Sequence, residues 1–114
     1  MAGKALQRRL DWRVQFQRAA RVDDGFSVNQ EFADHGDPIW AEKVDVSDGE
    51  RLKSAEVAAH VSTRFTVHWS TFTSQVTPKD RLICEGREYN IVGIKETGRR
   101  RRWIEISALA RTDT

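Results

Sequence analysis

Apolar and polar residues alternate with a period of two through most of this chain, and that rhythm predicts strands with one buried face. Trp12, Val14 and Phe16 alternate with Arg13, Gln15 and Gln17, which gives a first strand. Val61, Phe65, Val67 and Trp69 alternate with Ser62, Arg64, Thr66, His68 and Ser70, the clearest strand in the chain, and the pattern puts Phe65, Val67 and Trp69 in the core. Trp40, Val44 and Val46 share one parity, so a second strand is expected there, with Glu42 of the same parity near an edge or opening. Three further strands are expected over residues 81–84, 88–94 and 101–109. Thr77-Pro78-Lys79-Asp80 has Pro at the second position of a type I turn. Glu85-Gly86-Arg87 and Glu96-Thr97-Gly98-Arg99 read as hairpin connections.

Two stretches break the period. Residues 21–38 carry Asp23-Asp24-Gly25 and Asp34-His35-Gly36-Asp37-Pro38, interrupted by Phe26, Val28 and Phe32. So many turn formers mark a long polar loop or a loose hairpin. Ser47-Asp48-Gly49-Glu50 fits a capping box, and Leu52, Ala55 and Ala59 follow at helical spacing, so a short helix is expected over 48–60. The first twelve residues suit a short helix or a flexible arm. The whole predicts a mainly β protein, a small antiparallel β-barrel or sandwich of about six strands with one short α-helix; closure would manage exposed strand edges.

At 114 residues the chain is expected to be a single domain with one modest core. No apolar run approaches the roughly 20 residues that a membrane-spanning helix needs. The basic start lacks the apolar stretch of a secretory signal, so synthesis and retention in the cytoplasm are expected. The single Cys84 cannot form an intrachain disulfide, and stability must come from packing and strand pairing. The net charge of +2 conceals blocks of +5 over residues 1–22, −7 over 23–56 and +4 over 57–114. Oppositely charged regions suit subunits that meet head to tail, provided the blocks become faces once the chain folds.

No constellation for catalysis, a cofactor or a metal stands out. His35, His60 and His68 are scattered without an i,i+4 partner, and Asp34, His35 and Asp37 lack the ligand spacing of a calcium loop. No nucleophile elbow, phosphate loop or dinucleotide fingerprint occurs. The marked feature is Arg99-Arg100-Arg101-Arg102, whose forked guanidinium groups suit carboxylates and phosphates. On an extended strand the four would alternate between faces. They read as a solvated hairpin tip, as a contact for an acidic neighbouring subunit, or as a contact for DNA. Trp40, Trp69 and Trp103 read as core residues rather than stacking platforms for bases. Phe26 and Phe32, set among polar residues, are candidates for contacts made on assembly.

The order of certain segments resembles the head-tail joining proteins of tailed bacteriophages, the small head-closure or stopper subunits. The likeness rests on the basic strand Arg13-Val14-Gln15-Phe16-Gln17-Arg18, on Trp40-Ala41-Glu42, on Gly49-Glu50 and on Tyr89-Asn90-Ile91, and runs from about Arg13 to about Leu109. It implies a small β-barrel that forms a ring on the portal or adaptor protein. Such a ring extends the DNA channel, closes the filled head and presents a docking surface to a tail terminator or tail tube protein. It implies a virion location at the head-tail connector of a phage, prophage or gene transfer particle, with packaged DNA in the channel. The longer acidic segment before Pro38 and the dense arginine run depart from the family's pattern. On this reading Asp34, Asp37, Asp45 and Asp48 face basic residues of an adjoining copy, drawn from the amino-terminal block or from Arg99, Arg100, Arg101 and Arg102. Readings that stay open are a small β-barrel nucleic-acid-binding module and a neighbouring subunit of the same apparatus, an adaptor or tail terminator.

Overall fold

The computed structural model describes residues 9–23, 25, 28–46 and 61–111. Among these residues seven strands run in the order β1 Trp12–Asp23, β2 Val28–Asp34, β3 Ile39–Asp45, β4 Thr63–His68, β5 Arg81–Cys84, β6 Arg87–Thr97 and β7 Trp103–Ala110. Six of them close a barrel in the spatial order β1-β3-β4-β7-β6-β5, shut by pairing of β5 back onto β1, and every neighbouring pair is antiparallel. β2 is the additional strand, and it pairs with β1 alone. The expected helix over 48–60, with its capping box, lies outside the described residues.

Closure follows from the length of β1. Its first half serves two neighbours, Trp12 to Val14 facing β3 and Val14 to Gln17 facing β5. Its second half, from Gln17 to Asp23, pairs with β2 as a two-stranded ribbon. Residues 21–38 are therefore not a loop throughout. They form the outer part of a hairpin, because Phe32 and Val28 fall at the period-two positions of a strand and the glycine and aspartates collect at its two ends. Gly36 sits at the bend between β2 and β3 with φ +74°, and a Cβ there would approach the Phe72 ring to 2.5 Å, so the position needs glycine for both its backbone and its space.

The barrel interior holds Val14, Phe16, Ala41, Phe65, Val67, Leu82, Cys84, Tyr89, Ile91, Ile104, Ile106 and Ala108, all buried. Phe65 and Tyr89 meet edge to face at 5.0 Å between ring centroids. Val76 and the partly buried Phe72, from the connection between β4 and β5, close one end, with Phe72 edge-on to Phe16 at 6.1 Å. The turn at Thr77 forms as the sequence indicates, with Asp80 N–H donating to the Thr77 carbonyl at 2.9 Å. Glu85 and Gly86 both take positive φ, 53° and 78°, the two-residue primed turn that matches strand twist.

Several sequence expectations are corrected. Trp69 is 46% exposed and Trp40 52% exposed, so neither is a core residue, and Trp103 is only partly buried. In β3 the inward parity is that of Ile39, Ala41 and Lys43; Trp40 and Val44 point outward, because Trp12 on the inner face of β1 lies opposite Ala41. β3 pairs with β1 over Ile39 to Ala41 and with β4 over Glu42 to Asp45, so Glu42 sits where the β1 ladder stops, at an opening on that side. In β6 a bulge between Ile91 and Gly93 shifts the register, so Ile94 and Glu96 lie opposite the inward-facing Ile106 and Ile104.

Candidate assembly surface

Strand directions sort the charged candidates by barrel end. β1, β4 and β6 run one way and β3, β5 and β7 the other, so one end collects the β1–β2 ribbon, the 35–38 bend, the 69–80 connection and the 98–102 turn. We call this the upper end. Phe32, Asp34, Asp37 and Arg99 to Arg102 all belong to it. Asp45, at the close of β3, belongs to the lower end. Asp48 and Phe26 lie outside the described residues.

The arginine run does not extend a strand with its side chains alternating between faces. Arg99 to Arg101 form a short 3-10 turn in which Arg100 and Arg101 take left-handed φ of 60° and 54°. The reason is the preceding Gly98 at φ 84°, where a Cβ would come within 2.5 Å of the Trp103 ring, so the chain folds tightly back over the indole. All four arginines are exposed. A brace holds the turn against β4: the Trp69 N–H donates to the Arg102 carbonyl at 2.7 Å and the Trp69 indole N–H donates to Glu96 Oε2 at 3.1 Å. Glu96 Oε1 lies 3.8 Å from Arg101 Nη1, a weak exposed ion pair. Arg99, Arg100 and Arg102 have no ion-pair partner among the described residues. His68 stacks on Trp103 at 4.3 Å beneath them, exposed as its strand position implied. The result is a cationic knob beside an exposed indole.

Across the barrel mouth, Arg18 and Asp80 fasten the ribbon to the turn before β5. Arg18 Nε and Nη2 donate to the two Asp80 carboxylate oxygens at 3.0 Å each, and Nη2 also donates to the Gln75 carbonyl at 3.0 Å. Thr77 N–H donates to Asp80 Oδ2 at 2.9 Å. The Asp80 side chain is only 2% exposed. Burial pushes its carboxyl up, but the Arg18 and Thr77 hydrogen bonds and the Arg18 and His35 charges outweigh that, and its pKa lies below the ordinary value. The hydrogen bond and charge of Asp80 in turn raise the Arg18 pKa.

Phe32 is not bare: the Arg81 guanidinium lies 3.7 Å from its ring centroid. With Arg18, Ala19, Gln75, Thr77 and Lys79 it borders an open cleft. Asp34 accepts from Gln17 Nε2 at 3.1 Å, and Asp37 is exposed. Asp45 contacts Lys43 Nζ at 3.3 Å and is 73% exposed. Sequence reasoning named neither the Arg18–Asp80 pair nor the Trp69–Glu96 brace. The legible trace was an aspartate closing a Pro turn and a basic residue at the end of the first strand's alternation. Among the described residues no group of His, Cys, Asp and Glu could hold a metal ion, and no helix is long and apolar enough to cross a membrane.

The described residues thus form a closed antiparallel barrel with charged side chains gathered round its upper rim. Residues 6–111 match the model of the phage head completion protein family, and the chain belongs to that family. It is thus a structural component of a phage-type particle, consistent with the resemblance read from the segment order. No curated protein matches the chain. Among solved structures, a protein of Shigella flexneri 2a determined in solution is similar in fold, with TM-score 0.73 and 24% identity over 93% of this chain and 96% of that one. A chain of the virion of a native gene transfer agent particle is also similar, with TM-score 0.59 and 19% identity over 90% of this chain and 94% of that one.

Proposed function

We propose that this protein is the head-closure subunit of a phage or phage-like particle. It forms a ring on the portal or adaptor connector, closes the DNA-filled head and provides the docking surface for a tail terminator or tail tube protein. Membership of the head completion family supports this reading, together with the concentration of charged groups at the upper end of the barrel. The knob at 98–102 caps β6 and β7, while the ribbon rises from β1, three strands from β7 by either route round the barrel and two from β6 through β5. Two unlike surfaces on opposite walls suit a heterologous, head-to-tail contact that closes into a ring. Weak contacts repeated round a template raise the effective concentration of each subunit and make assembly cooperative. Of the four acidic candidates, Asp34 and Asp37 share the knob's end of the barrel and Asp45 does not.

Electron microscopy of particles from a producer lacking the gene tests the reading. Emptied heads beside complete, unattached tails are expected; DNA-filled, tailed particles would overturn it. A second reading is a nucleic-acid-binding module, favoured by the placement of Arg100 and Arg102 beside the exposed Trp69. It demands binding of free DNA or RNA that falls steeply with salt. Head closure requires little affinity for free DNA, because the net charge is only +2.

A further inference from the structure

Closure of the barrel leaves several stretches of strand edge without a partner strand among the described residues, and two of them stand at the upper end on different walls. β2 pairs only with β1, so the outer edge of its seven residues has no partner strand among those described. β6 is bonded to β5 only through Arg87 to Asn90, so above Ile91 its edge on the β5 side is likewise without a partner strand. No backbone hydrogen bond joins residues 92–97 to the 69–80 connection. The far edge of β1 in the ribbon is a further open stretch, but Arg18 and Asp80 hold the Thr77 turn against its base.

We propose that β2 of one copy pairs with the upper part of β6 of the next, so that ring assembly makes a continuous sheet across each subunit boundary. This deepens the ring reading of the previous section and rests on it. The geometry carries it in three ways. β2 stands above β3, three strands from β6 by either route, so the two edges lie on opposite walls and face in opposite directions, as head-to-tail pairing of side-by-side copies requires. β6 runs up and β2 runs down, so copies with parallel barrel axes bring these strands together antiparallel, the more stable pairing. The charges also complement each other, with Glu31 and Asp34 exposed on β2 against exposed Lys95 and the arginine knob on the β6 side. A long open edge is a hazard in a protein that stays alone, and a two-stranded ribbon is marginal without a further partner.

The N–H groups that take part can be identified. His35 N–H donates to the Phe16 carbonyl at 2.9 Å, and hydrogen-bonded pairs alternate along an antiparallel ladder. Asn29, Glu31 and Ala33 therefore bond to β1, while Gln30, Phe32 and Asp34 turn their N–H groups to the open edge. Gln30→Pro removes one outward donor and leaves the β1 ladder whole. The expected result is a melting temperature within a few degrees of the parent and a fall of about tenfold or more in tailed-particle yield, since one lost hydrogen bond recurs at every boundary of the ring. Folded Gln30→Pro protein giving full yield would overturn the proposal.

Amide hydrogen exchange supplies a second test that does not depend on that variant. The free wild-type protein and connectors isolated from particles are compared. In the ring, residues 30–34 and 92–97 should exchange at least about tenfold more slowly than in the free protein. A ring whose edge amides exchange at the free rate would sink the shared sheet while leaving the head-closure function standing. Absence of this protein from the connector would sink both.

Discussion

Replacing Asp80 by Ala tests the principal polar contact between the ribbon and the barrel. The side chain is 2% exposed and accepts three hydrogen bonds, two from the Arg18 guanidinium and one from the Thr77 N–H. Removing one partner of a fully buried ion pair costs about 3–5 kcal/mol. Arg18 is 40% exposed, so water can take over part of its solvation, and the expected loss is about 2–3 kcal/mol. For a domain of this size about 4 °C of melting temperature accompanies each kcal/mol, which predicts a fall of about 8–12 °C in thermal denaturation followed by circular dichroism. Arg18→Ala should cost about 3 kcal/mol, because it leaves a buried carboxylate held only by the Thr77 N–H. The double variant should then be less destabilised than the sum of the two, with a coupling of about 1–2 kcal/mol. Coupling within about 0.3 kcal/mol of zero would show that the pair does not fasten the ribbon.

The same carboxylate sets a pH dependence: its pKa is depressed in the folded chain, so its stabilisation is present above the ordinary carboxylate value of about 3.9 and is lost as pH falls through the folded value. Acid titration of wild type and Asp80→Asn should show curves that converge at the acid end; parallel curves would contradict the assignment. Gly36→Ala meets both a left-handed backbone and the Phe72 ring, and a loss of about 2–3 kcal/mol in urea unfolding is expected. Reversing Arg100 and Arg101 to Glu should leave folding within about 0.5 kcal/mol, both being exposed, yet reduce particle yield and DNA retention. Unchanged particles would remove the knob from the assembly surface. Cys84 is buried and burial raises its thiol pKa, so a thiol reagent should label it only at the rate of unfolding; fast labelling of the native protein would contradict its place in the core.

The amino-acid sequence by itself determined the class of fold. Period-two alternation needs only a strand with one wet and one dry face, and it located β1, β3, β4, β5, β6 and β7 together with the turns at Thr77 and Glu85. Segment order also carried the family likeness, which the match over residues 6–111 establishes. What local pattern could not decide was which face of a strand meets the core when both carry apolar residues. Trp40 and Val44 made one side of β3 look inward, yet Ala41 is the buried residue, because the pairing of Trp12 opposite Ala41 sets the choice. Trp69 continues the alternation of β4 past the end of the barrel, where no facing sheet remains to bury it, and its indole serves instead as a donor to Glu96. The bulge after Ile91 likewise changes which residues of β6 turn inward, and no run of residues announces it. The contacts between Arg18 and Asp80, 62 residues apart, and between Trp69 and Glu96, 27 apart, exist only because barrel closure brings distant turns to one rim. The open edges belong to the same category, since an edge is defined by the strand that is missing beside it, and only tertiary pairing shows which strands have been left without one.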